Sequence, residues 1–165
     1  WTTLTTTTAT SYTWSGLYDE SVFEFRVIPT NAAGDGTPSG SDTGYIRKLI
    51  NPTFVSQNVP TKVAINQTFT VTQTWRNDGS ETWANSTVYG TMPYAPADTS
   101  VWGSATVGFS GSTATGQTVN TTLSLKAPST PGTYNFQRIF GKSGTAYGNP
   151  SPATNILVMG PASCS

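Results

Sequence analysis

Between Gln67 and Trp75 the chain alternates without a break. Phe69, Val71, Gln73 and Trp75 fall on one side, and Thr68, Thr70, Thr72 and Thr74 on the other. A period of two belongs to a strand with one dry and one wet face, and it fits no helix. The spacing returns from Thr118 to Leu125, through Val119, Thr121, Leu123 and Leu125. Turn chemistry follows each run: Asn77-Asp78-Gly79 after Trp75 and before Trp83, and Pro128 to Gly132 before Thr133-Tyr134-Asn135-Phe136. Ile156 and Val158 read as a last strand, and Phe54 to Pro60 as an edge strand stopped by its proline. Strands of this kind need a second layer to cover the apolar side, so the chain is expected to be all-β.

Composition narrows the function. Aromatic residues are plentiful and the formal net charge is zero, the reverse of a disordered chain. The same neutrality supplies no basic stripe for phosphates, so no nucleic-acid partner is expected. No apolar run approaches the roughly 20 residues of a membrane helix. The chain has no His, which removes the usual general base and the usual metal ligand. The one Cys, Cys164, cannot form an internal disulfide. No cofactor is expected.

Upstream of residue 50 the pattern is thinner. Tyr12, Trp14 and Leu17 mark a short strand. Phe23, Phe25 and Val27 alternate against Glu24 and Arg26, the turn Asn31 to Gly36 follows, and Tyr45, Ile46 and Leu49 suggest a final strand. Leu17, Phe23, Phe25, Val27, Asn31, Gly34, Pro38 and Ser39 give this segment a resemblance to the C-terminal half of a fibronectin type III domain. The resemblance implies its strands E, F and G. Two positions depart from the family: Phe23 stands where it has Tyr, and Pro29 where it has a small residue. A full sandwich of this type takes about 100 residues. The segment is therefore expected to be completed by upstream chain or by another subunit.

Asn51-Pro52 reads as a linker, after which the pattern restarts. Trp75, Asn77, Gly79, Thr82 and Trp83, then Trp102-Gly103, Gly116, Ala127-Pro128, Pro131 to Tyr134, Phe136 to Arg138 and Tyr147-Gly148 closely resemble the immunoglobulin-like "four-tryptophan" domain. That domain occurs in large autophagy cargo receptors and in bacterial secreted and surface proteins. The third tryptophan of the family is absent before Arg138, and the fourth is not evident near Val158. The resemblance thus speaks for the fold more than for a ligand pocket.

The expected architecture is all-β, with immunoglobulin-like β-sandwiches in tandem, one partial and one complete: residues 1–50, residues 51–160, and a tail at 161–165. Trp75, Trp83, Tyr134 and Phe136 are expected to be structural aromatics. Tyr89, Tyr94 and Trp102 flank the longest loop-like stretch and are the candidate contacts for a protein or carbohydrate. Asp78 and Glu81 are expected to serve their own turn rather than to form a hydrolytic carboxylate pair, and no catalytic residue is assigned. Asn66, Asn85 and Asn120 each begin an Asn-x-Thr acceptor sequence. The expected role is a non-catalytic structural and interaction module of an extracellular or cell-surface protein, working beside neighbouring domains or subunits. A phage tail-tip or fibre component and an accessory module of a secreted carbohydrate-active enzyme are the alternatives.

Overall fold

The computed structural model describes residues 1–15, 17, 21–84, 88–94, 101–103 and 106–161. The chain forms two compact units, Trp1–Lys48 and Leu49–Ser165. It is all-β: the regular elements among the described residues are strands. Cys164 and Asn85 lie outside the described residues.

In the first unit, β1 (Val22–Phe25) pairs antiparallel with β4 (Asp42–Tyr45). Between them, β2 (Thr30–Asn31) and β3 (Gly34–Asp35) make a hairpin closed by Ala32 and Ala33. Asn31 holds this turn by accepting the Ala33 N–H on its side chain at 2.8 Å, the local bond that makes Asn a turn residue. Trp14 meets Phe23 and Phe25 edge-on, at 4.9 and 5.8 Å between ring centroids. Among the described residues of this unit no hydrophobic side chain is buried. The expected alternation stops early: Val27 lies beyond β1 and is 71% exposed. Its N–H donates to the Ser39 hydroxyl, and the Ser39 N–H to its carbonyl. Ile46 and Leu49 fall outside β4.

The second unit starts at Leu49, two residues ahead of the expected boundary. Pro52 is no linker residue: it is buried and opens β5 (Pro52–Asn58). An edge strand tolerates proline at its first position because no ladder donor is needed there. β5 and β10 (Thr118–Lys126) flank β7 (Thr68–Asn77), all antiparallel. The alternation of the sequence is realised on β7 and β10, whose inward residues are buried and whose outward residues are exposed or, at Thr72 and Thr74, half-buried. A second sheet joins β11 (Gly132–Phe136) to β14 (Thr154–Met159), with β6 (Lys62–Ala64) added parallel to β14. A third joins β13 (Thr145–Tyr147), β12 (Arg138–Lys142), β8 (Tyr89–Pro93) and β9 (Val107–Gly108). After Pro60 the chain thus leaves the β5 sheet and adds β6 to another. The β12–β13 hairpin turns on Ser143 and Gly144, both at positive φ (49° and 81°), which matches the right-handed twist of its strands.

The layers close on two apolar clusters. One gathers Val63, Phe69, Val71, Trp102, Leu123, Leu125, Phe136, Ile156 and Val158; the other gathers Ile50, Trp75, Trp83, Tyr89, Phe109, Val119 and Phe140. Strands from facing sheets contribute to each, which is a sandwich-like packing. Rings carry the second cluster: Trp83 lies 4.5 Å from Phe140 and 5.8 Å from Phe109.

Candidate functional site

Of the three candidate contact residues, Tyr94 alone presents substantial surface, at 37% exposure. Tyr89 is on β8, whose pleat turns it inward; it is 6% exposed and belongs to the second cluster. Its hydroxyl donates to Glu81. Trp102 is 4% exposed and belongs to the first cluster, edge-on to Phe69 and Tyr134 at 5.5 and 6.1 Å. Its indole N–H donates to the Asn135 carbonyl at 2.8 Å. The expectation of three contact residues is therefore corrected: Tyr89 and Trp102 are packed in different clusters. Tyr94 follows β8, with its N–H bonded to the Gln137 carbonyl at 3.1 Å. Residues 95–100, the rest of that loop, lie outside the described residues.

Trp75, Trp83 and Phe136 are buried, with Trp75 and Phe136 at 0% exposure. Tyr134 is half-buried and ties down the turn before it, its hydroxyl donating to the Thr130 carbonyl at 2.9 Å.

The two turn carboxylates work separately. Asp78 accepts from Arg76 Nε at 2.7 Å and Nη2 at 3.0 Å, and from the Thr53 hydroxyl at 2.5 Å. The hydrogen bond to Asp78, and then its charge, raise the Arg76 guanidinium above its usual range. Glu81 accepts from Lys142 Nζ at 2.5 Å and from Tyr89. Neither pair was legible in the sequence, because Thr53 and Lys142 reach the turn only through sheet register. Among the described residues no three His, Cys, Asp or Glu side chains gather as a metal site.

Asn77 holds this end of the unit. It is fully buried, and its side-chain NH2 donates to the carbonyls of Glu81 (2.8 Å) and Thr113 (2.9 Å). Its side-chain oxygen accepts the Gly79 N–H at 3.1 Å. At Gly79 a Cβ would stand 2.5 Å from the Leu49 carbonyl oxygen, so the close approach of the unit's first residue requires glycine. Asn77 thus ties this turn down from the inside.

A polar, largely uncharged surface lies elsewhere. On the outer face of the β5–β7–β10 sheet, register places Ser56 beside Thr74 and Thr74 beside Asn120, then Asn58 beside Thr72 and Thr72 beside Thr122. Thr70 faces Ser124, and Thr68 faces Lys126. The Thr74 hydroxyl donates to the Asn120 side-chain oxygen at 2.8 Å. Charges stand only at the ends, Arg76 with Thr53 and Thr118 at one and Lys126 at the other. Threonine has a stiff χ1, so the hydroxyls are held in rows about 4.8 Å apart across strands. Such a face can exchange many neutral hydrogen bonds with a flat partner. The sequence showed the threonine alternation; the continuity of the face needed the strand order.

No known protein-family description matches the chain, and no curated protein matches its sequence.

Proposed function

We propose that this chain is a non-catalytic structural and interaction module of a larger extracellular or surface protein, and that the hydroxyl-lined outer face of the β5–β7–β10 sheet is its docking surface. The observation that carries this reading is the in-register row structure of that face. The middle of the face carries no charge and offers neutral donors and acceptors suited to a glycan or a polar protein surface. The resemblance of residues 54–158 to four-tryptophan immunoglobulin-like domains supports the placement in a surface protein. The resemblance of residues 1–48 to half a fibronectin type III domain, with its apolar side chains exposed, supports neighbouring domains or subunits as permanent partners.

The test is a glycan array probed with the whole chain and with Thr72→Lys/Thr122→Lys. The two lysines face each other in the middle of the face and leave the buried side of both strands untouched. The expected result is glycan binding by the parent, lost at least tenfold in the variant, with the melting temperature moved by a few degrees at most. Equal binding by both proteins removes the face from the proposal; no binding by either leaves a spacer role without a glycan ligand.

A further inference from the structure

The two apolar clusters of the second unit are divided by a polar layer. Along β7, Gln73 stands between Val71 of the first cluster and Trp75 of the second. Along β10, Thr121 stands between Leu123 and Val119 in the same way. Arg138 stands between Phe136 and Phe140, and Thr91 lies next inward from Tyr89 on β8. Gln73 and Thr91 are 0% exposed and Thr121 is 4% exposed. Gln57, Gln73 and Thr121 form one row across three strands, since Gln73 is the register partner of each of the others.

The hydrogen bonds of this row have a forced direction. The Pro152 carbonyl can only accept, so Gln57 must present its NH2 to it, at 2.9 Å; the same NH2 reaches the Thr154 hydroxyl at 3.0 Å. The Gln57 side-chain oxygen is then an acceptor, and it takes the Gln73 NH2 at 2.9 Å. Gln73 cannot be flipped without setting two acceptors against each other, so its own Oε1 is committed to a donor elsewhere. Among the described residues that buried oxygen has no donor, and the buried hydroxyls of Thr121 and Thr91 have no partner either. Buried polar groups in folded proteins are satisfied by protein or by ordered water, which takes two to four polar neighbours.

We infer that this layer is a binding site for ordered water, which donates to Gln73 Oε1 and bonds the hydroxyl of its register partner Thr121. Water fits the chemistry: one atom demands a donor, and the hydroxyl gives or accepts as required. The site is independent of the docking face, because Gln73 and Thr121 point to the opposite side of their strands from Thr72 and Thr122.

Thr121→Val tests it, since valine keeps the volume of threonine and removes only the hydroxyl. If water fills the layer, the variant strands it short of a partner, and the melting temperature falls by about 2–8 °C. If the layer is dry, removing a bare hydroxyl lifts a penalty and the melting temperature rises, which overturns the inference. A second measurement needs no variant: nuclear Overhauser contacts between the Gln73 side-chain NH2 and a long-lived water in the intact chain. Their presence supports the site and their absence overturns it, even if the valine variant fails to fold.

Discussion

The two units use the same alphabet and reach different ends. Both alternate large apolar residues with threonine, serine or charge, and both form antiparallel ladders. In the second unit the apolar side of each ladder meets another sheet, and Trp75, Val71, Leu123, Phe140 and Ile156 fall to 0% exposure. In the first, Val22, Phe25 and Tyr45 remain 65%, 40% and 59% exposed on a two-stranded ladder. The period-2 pattern makes strands; closing a second layer over them makes a core. An isolated two-stranded ladder is marginal in water, because few side chains leave the solvent to offset the entropy of ordering the chain.

Cutting the chain at the junction sharpens this contrast most. Residues 49–165 alone are expected to keep the whole cooperative unfolding transition, whereas residues 1–48 alone should show no amide protected from hydrogen exchange. Slow exchange in the short fragment, at a concentration where it is monomeric, would break the comparison. A smaller effect is expected from Trp75→Ala, which empties the middle of an aromatic cluster. It should cost about 3–5 kcal/mol in denaturant unfolding of the intact chain. A cost near zero would mean that the second core is not closed around this ring. The smallest effect belongs to Val27→Ser. With its side chain 71% exposed, stability should move by no more than about 0.5 kcal/mol. A loss of several kcal/mol would reveal that something covers the first unit in solution.

The strands were legible where one face is dry and the other wet. Gln67 to Trp75 and Thr118 to Leu125 carried their own registers, since a slip of one residue would turn every apolar side chain outward. The candidate contact site was not legible. Tyr89 and Trp102 sit next to proline-rich, irregular sequence, and aromatic residues in such places either bind or pack. What decides is the position of a partner strand far along the chain, such as β12 behind Tyr89 or Asn135 beneath Trp102. Asn77 and Gln73 were hidden for a related reason. A turn asparagine and an inward glutamine look ordinary until the Thr113 carbonyl and the Gln57 side-chain oxygen are seen to be what they serve.

The crossing of the chain from β5 to β6 has a mechanical side. β6 lies parallel to the last strand, β14, from Lys62 beside Leu157 to Ala64 beside Met159. The pairing is bracketed by N–H bonds from Leu157 to Thr61 and from Ile65 to Met159, each 2.9 Å. In parallel neighbours the incoming end of one and the outgoing end of the other point in opposite directions. A pull applied at Thr61 and at Met159 therefore slides β6 along β14, and their hydrogen bonds share the load together instead of peeling apart in sequence. The pairing is a clasp between the sixth strand and the last, set to bear load along its own length.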